Sequence, residues 1–505
     1  MDPNGQETFP GGVLPVVVIG NGPSGICMSY LLSGYMPYLS PEGTHPNAIL
    51  QAKLEQNPHL SLLEQDLEYL CEGLEGRSSN PVAVLFDSLL LPDSDFGLDS
   101  PSPLLWRYQP ERATPHLVLG RGLPGGAWHA MEGSMLTLSL ARWMELPGLK
   151  LKDWVRDKRS SRNVRNDRAT PAEVASYYQY YVTQMGLQKN FISGTVVTSL
   201  CRVPRKDGGA PVWMVQGLQR LSEQGEETEC PFSLQAENVV LATGTHDVPA
   251  RLGVDGEDLP FVHHSFWEME SALMKGNLDR NSDPVFVVGA GLTAADTILV
   301  AHHHSVNVYH AFRRSVTDPD LIFNQLPKVL YPEYHKVHQM MTQQQCWQGM
   351  PVTHPENAPL PFSGSYPGYV SFPKHHVVAF KPDKKCVLEN AEGQQTILPV
   401  SMALVLIGAY PNLSFLPDDG QHLGLCPQDP ISCRRNPLHV NPYTYESVRE
   451  PGLYVMGPLV GENFVRFLKG GALAIASDLA RRQRNADQST DGDKEDTHIA
   501  LACDS

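Results

Sequence analysis

Two stretches of this chain have the same architecture: an apolar β-branched run, a glycine turn, then a helix of small and apolar residues. They are VVVIGNGPSGI at 16–26 and VFVVGAGLTAADTILVAHHHSVNVYHAFRR at 285–314. Each pattern calls for a strand buried on both faces, as in a parallel sheet covered by crossover helices. Two copies call for two such sheets. The expected fold is therefore α/β, with a second Rossmann-like domain inserted into the first. The first domain is expected over 1–250, the inserted one over 251–375, a return to the first over 376–483, and a disordered acidic tail over 484–505.

In the first stretch Gly20, Gly22 and Gly25 form GxGxxG directly after the strand, with Pro23 and Ser24 opening the helix. The first glycine makes the tight turn, the second lets backbone approach a pyrophosphate, and the third lets helix and strand pack closely. The helix N-terminus then offers amide donors and partial positive charge to the phosphates. A dinucleotide site also wants a carboxylate for the adenosine ribose at the end of the next strand. With HLSLLEQ (59–65) read as that strand and 37–58 as an insertion, Glu64 is the candidate; the alternative is an exposed acid at a strand end.

The second stretch differs at one decisive place. Gly289, Gly291 and Ala294 give GxGxxA, but the next strand ends in Arg313 and Arg314 rather than an acid. A guanidinium there accommodates a 2′-phosphate, so this half is expected to take NADPH. One fold would hold FAD and the other would dock NADPH, which accounts for two sites in one chain. The alternative reading of the arginines is a pair of surface cations capping a strand.

Further units follow the same grammar. VVLATGTHDVP (239–249) carries Gly244, MALVLIGAYPNLSFL (402–416) is a third strand–glycine unit, and GLYVMGPLVGENFVRFLKGGALAIASDLARR (452–482) carries Gly457 before a long helix. TPAEVASYYQYYVTQMGL (170–187) has a threonine N-cap and proline in its first turn.

Composition excludes several classes. The net charge is −16, with six acids and one lysine from Asn485 onward, which gives no support for nucleic-acid binding. Residues 150–168 hold eight basic residues against three acids and read as a solvated loop or a patch for an anionic partner. The nine cysteines are scattered, without CxxC or zinc-ligand spacing, as suits a reducing intracellular compartment, the cytoplasm first. The same absence argues against a disulfide reductase on this fold, which needs a redox cysteine pair beside the flavin. No secretory leader is read in MDPNGQETFPGG, and no apolar run is long enough to span a bilayer. His302, His303 and His304 face apart on a helix, so no metal site is expected; His335 and His338 either line a pocket or lie on a surface helix.

With these motifs in place, residues 14–482 resemble the two-dinucleotide-binding flavoproteins, particularly flavin-containing and N-hydroxylating monooxygenases. PGGAWH (124–129) is similar to their GGxW box, which implies that Gly126 and Trp128 lie beside the flavin, with His129 a polar candidate next to them. GNGPSGICMSYLLSGY, LEYLCEGLEGRSSNPVAVLFDSLL, NQLPKVLYPEYHKVHQMM and GENFVRFLKGGALA carry a more specific resemblance, to the oxidative stress-induced growth inhibitor family. That resemblance implies a monooxygenase-like flavoprotein regulating growth and cell division, with a cytoskeletal or division-associated location open. The cycle would pass hydride from NADPH to FAD, capture O₂ as a peroxyflavin, and insert one oxygen atom into an unknown small-molecule or protein substrate. No catalytic side chain is named. The chain departs from the usual pattern at Gly457-Pro458, where many FAD proteins have glycine–aspartate for the ribityl chain; Glu462 or a backbone amide could substitute. The alternative function is a flavoprotein scaffold that acts by binding protein partners, its redox activity idle or leaking peroxide.

Overall fold

The computed structural model describes residues 12–98, 100–131, 136–151, 154, 168–205, 208–223, 226–343 and 366–501, leaving aside the side chains of 222–227, 343 and 487–501. Most of the basic stretch 150–168 lies outside the described residues. The chain forms two compact units, Met1–His246 with Pro411–Ser505, and Asp247–Tyr410.

The first unit begins with the fingerprint strand β1 (Val13–Ile19) and helix α1 (Pro23–Leu32). The parallel neighbour of β1 is not at 59–65. The chain first forms an antiparallel pair, β2 (Tyr35–Leu39) and β3 (Leu104–Tyr108), with helix α2 (Pro81–Leu90) between them. Only then does it enter the sheet as β4 (His116–Leu119), in register with β1 from Val16↔His116 to Ile19↔Leu119. The insertion is thus much longer than 37–58. Residues Leu62–Glu64 form a single 3₁₀ turn, because Ser61 caps it and Glu64 reaches back to the Ser61 amide in a capping box. Helix α3 (Pro171–Gln184) starts as expected at Thr170, boxed with Glu173. Strands β5 (Phe191–Ile192), β6 (Thr195–Val203), β7 (Val212–Glu223) and β8 (Glu226–Leu241) complete a sheet of order β5-β4-β1-β8-β7-β6.

The second unit carries the other fingerprint. Its five strands run in the order β9 (Val262–His263), β16 (Ala403–Val405), β10 (Val285–Val288), β11 (Val308–Phe312), β12 (Tyr369–Pro373), every pairing parallel. Helix α4 (Leu292–His303) follows β10. An antiparallel trio, β13 (His376–Lys381), β14 (Lys385–Glu389) and β15 (Gln395–Pro399), packs Val377, Phe380 and Leu388 into the same core as Phe286. Residues 376–410 therefore belong to this unit, and the return expected at 376 falls at Pro411. The physical reason is β16, which pairs with β10 and so completes the inserted sheet before the chain can leave it.

Back in the first unit, β17 (Leu453–Val455) pairs in parallel with β8, and the closing helix α5 spans Val465–Leu501. The expected disordered tail at 484–505 begins on this helix, and its side chains from 487 on lie outside the described residues. Helix α5 carries Arg466, 4% exposed, whose guanidinium meets both oxygens of Asp87 on α2 at 2.6 Å and Asp95 at 2.7 Å. Breaking one side of a buried, bidentate pair strands its partner's charge. Arg466→Ala should therefore lower the unfolding free energy by about 3 to 5 kcal/mol, read from urea denaturation. A loss of less than about 1 kcal/mol would mean that the pair does not anchor α2 to α5.

Candidate functional site

Four parallel strands of the first unit end at one level: Leu119 of β4, Ile19 of β1, Leu241 of β8 and Val455 of β17 are register partners across the sheet. Each is followed by a turn containing glycine: Gly120, Gly20, Gly244 and Gly457. Ligands of open α/β sheets bind outside such carboxyl ends.

The three fingerprint glycines do different work. Gly20 has φ +116°, and a Cβ there would fall 2.3 Å from the Ala242 carbonyl oxygen. A Cβ on Gly25 would fall 2.0 Å from the Gly20 oxygen. Both glycines are dictated by packing. Gly22 is not: its backbone is ordinary (φ −71°, ψ −174°) and a Cβ would meet nothing within 4 Å. The fold leaves space over Gly22, where a pyrophosphate needs the backbone bare. Pro23 and Ser24 open α1, and a Cβ on Gly457 would fall 2.6 Å from Ser24 Oγ, so the return turn lies against the fingerprint.

The GGAW segment joins the same cluster. Gly125 donates its amide to the Asn21 carbonyl at 2.9 Å, and a Cβ on Gly126 would approach Gly22 Cα at 3.0 Å. Trp128 is half-buried against the core, edge-on to Tyr178 at 6.5 Å. His129, exposed, donates to the Pro124 carbonyl at 2.8 Å. Two buried polar atoms beside these turns have no partner among the described residues: Thr243 Oγ1, next to Gly244, and Glu462 Oε2, beyond Gly457. An open Gly22 together with an orphaned Thr243 hydroxyl fits a polar, phosphate-bearing ligand such as FAD.

Glu64 is not part of this cluster. Its carboxylate caps the 3₁₀ turn and pairs with Arg112 at 2.8 Å and Arg484 at 3.6 Å. It does not end a strand of the sheet, and the next strand that pairs with β1 is β4, so the ribose assignment, which rested on that placement, does not hold. Leu60 and Leu62 alternate as on a short strand, but Ser61 and Glu64 close a 3₁₀ turn there instead.

In the second unit Gly289 (φ +121°) and Ala294, fully buried, hold the turn closed, while a Cβ on Gly291 would meet nothing within 4 Å. This repeats the pattern of the first fingerprint. A residue that sequence reasoning missed steadies the turn: buried His310 on β11 donates Nε2–H to the Gly289 carbonyl at 2.6 Å, and its Nδ1 accepts from the Tyr369 hydroxyl at 2.7 Å. Burial pushes this imidazole down to about 4 and keeps it neutral. The arginines past β11 part company. Arg314 is held by Asp318 at 3.0 Å and Asp320 at 3.3 Å, whereas Arg313 is exposed and makes no ion pair or hydrogen bond among the described residues. Of the two, Arg313 is the guanidinium left unengaged among the described residues. His335 and His338 donate to the Leu326 and Val316 carbonyls and so serve as helix struts.

Glu462 is the most perturbed carboxyl near the first site. It is 3% exposed, and Oε1 accepts from Tyr445 at 2.5 Å and Asn80 at 2.9 Å. Burial pushes it up to about 7, against those two hydrogen bonds. The folded chain thus holds a proton that the unfolded chain has released, so this group destabilises the fold as pH rises from the ordinary carboxyl range to about 7. Glu462→Gln keeps the accepting oxygen and removes that penalty. Its stability relative to the parent should rise by up to about 3 kcal/mol between pH 5 and pH 8 in urea denaturation. An unchanged difference would show that Glu462 is charged throughout.

No helix among the described residues is long and apolar enough to cross a membrane. The fold is shared with solved structures of bacillithiol disulfide reductase Bdr, from Staphylococcus aureus (TM-score 0.56, 12% identity, 93% of this chain and 98% of that one) and from Bacillus cereus (0.54, 14%, 93% and 100%). It is the two-dinucleotide-binding flavoprotein fold. No protein-family model matches. The chain is 53% identical over 491 residues to human oxidative stress-induced growth inhibitor 2, covering 93% of this chain and 94% of that protein. It is likewise 53% identical over 476 residues to mouse oxidative stress-induced growth inhibitor 1, with 93% and 96% covered. At that identity over nearly its whole length, the chain belongs to the oxidative stress-induced growth inhibitor family.

Proposed function

We propose that the protein is an NADPH- and FAD-dependent oxidoreductase of monooxygenase type. The observation that carries this reading is the pair of glycines, Gly22 and Gly291, that nothing in the protein's own packing requires. A glycine costs backbone entropy relative to alanine, about 0.5–1 kcal/mol, and at both positions the bare backbone borders open space at a helix N-terminus. Gly20, Gly22, Pro23, Ser24 and Gly25 would hold the FAD pyrophosphate, with Gly126, Trp128, Gly244 and Gly457 around the rest of the cofactor. Gly289, Gly291 and Ala294 would hold NADPH, with Arg313 on its 2′-phosphate. Arg314, engaged by two aspartates, contributes less.

When bound, FAD supplies hydride acceptance and oxygen activation. The chain's own residues bind, orient and exclude water. With no Cys-x-x-Cys in the sequence, electrons have no disulfide relay, which favours oxygen as the acceptor. The relatives' names connect them with growth inhibition under oxidative stress, and we assign this chain a role in regulating growth and cell division from inside the cell, on a substrate still to be found.

Purified protein should carry flavin that NADPH bleaches without oxygen and that recovers when oxygen is admitted, followed by flavin absorbance. A flavin-free chain, or a flavin that NADPH does not reduce, would overturn the redox reading and leave a scaffold that acts through protein partners. Gly22→Ala should lose flavin while matching the melting temperature of the flavin-stripped parent, since the added methyl meets no protein atom. A fully loaded variant would refute the first-site assignment. Arg313→Ala should raise KM for NADPH about tenfold or more with little change for NADH, and Arg314→Ala should do much less. Equal effects on the two coenzymes would sink the 2′-phosphate assignment.

A further inference from the structure

The FAD reading leaves a place in the first site unfilled. The second parallel strand of that fold is β4, and the residue at its carboxyl end, where a dinucleotide site wants a ribose-binding carboxylate, is Gly120. Its amide and carbonyl are spent on the sheet edge, donating to Ile192 at 3.0 Å and accepting from the Thr195 amide at 2.9 Å.

What occupies the space of the absent side chain is Asn21, from inside the fingerprint. A Cβ built on Gly120 would fall 2.0 Å from Asn21 Nδ2, 2.1 Å from its Cγ and 2.6 Å from its Oδ1. The carboxamide therefore lies across from the end of β1 to the end of β4. It is anchored there by Nδ2 donating to the Gly122 carbonyl at 2.7 Å and by the Asn21 carbonyl accepting from Gly125. Asn21 is only 5% exposed, and its Oδ1 accepts no hydrogen bond among the described residues. An amide oxygen with no protein donor, at the strand end where this fold presents a ribose, is free to accept from a ligand hydroxyl.

We infer that Asn21 replaces the strand-end carboxylate, its Oδ1 accepting from a hydroxyl of the adenosine ribose. Asn21 and an acid at 120 are mutually exclusive, since they would fill the same volume. The site has exchanged a charged acceptor on the second strand for a neutral one on the first loop. This inference rests on FAD occupying the first fold.

The test is a cycle between side chain and ligand, using FAD and its 2′,3′-dideoxyadenosine analogue titrated into flavin-stripped full-length protein, with Kd read from flavin fluorescence. The parent should bind FAD about five- to tenfold more tightly than the analogue, as one neutral hydrogen bond allows. Asn21→Ala should bind the two alike. Asn21→Leu, which keeps the space over Gly120 filled if the alanine variant loosens the loop, should do the same. Gly120→Glu alone should bind poorly, and Asn21→Ala/Gly120→Glu should regain preference for FAD, because the volume is vacated and the acid restored. A parent that binds neither ligand overturns the FAD reading itself. A parent that discriminates, with both Asn21 variants keeping that discrimination, overturns only the role of Asn21.

Discussion

The first nucleotide turn depends on a backbone approach too tight for a single β-carbon. Gly25 lies against the carbonyl of Gly20, and Gly20 against the carbonyl of Ala242, each closer than any side chain permits. These two contacts fix the start of α1 against the ends of β1 and β8. They also set the level at which β4 and β17 stop. Once that level is fixed, the positions over Gly22, beside Thr243 and across from Gly120 follow as consequences of strand register. The inserted unit repeats the device at Gly289, where a Cβ would fall 2.3 Å from the Leu406 carbonyl oxygen, and adds the His310 strut.

Local chemistry was legible wherever a residue's role depends on its immediate neighbours. The GxGxxG and GxGxxA turns, the Thr170 N-cap and the small-residue helices all follow from sequence spacing alone. What could not be read was which strand becomes the neighbour of β1. HLSLLE has an acceptable strand pattern, but strand identity is settled by pairing, and β4 wins because its four residues are buried on both faces. Between α1 and β4 lies an insertion with its own antiparallel strand pair and helices, so counting residues from Gly25 could not locate the ribose position. The end of the inserted unit was hidden for a similar reason: β16 is three residues long and its partner lies more than a hundred residues earlier.

Arg313 and Arg314 show the limit in a different form. Both are arginines at a strand end, and sequence spacing treats them alike. Two aspartates a few residues on neutralise one and leave the other, a distinction made by loop geometry. Asn21 makes the same point in reverse. It occupies a variable position of the fingerprint, and only the empty volume above Gly120 shows what its amide is for.

The insertion also changes what the closing helix can do. Asn80 at the start of α2 donates to Glu462, and Asp87 on α2 and Asp95 just beyond it clamp Arg466. A Cβ on Gly470 would fall 2.3 Å from Ala83 Cα, so the two helices touch through backbone. A segment that sequence reading treats as an interruption thus buries the carboxyl and the guanidinium that flank the start of α5, where the turn from Gly457 meets Ser24. Burial raises the cost of charge on Glu462, while pairing keeps the charge on Arg466. The two groups therefore respond oppositely to the same enclosure, and the helix start is left with one fixed cation and one carboxyl poised to hold a proton near neutrality.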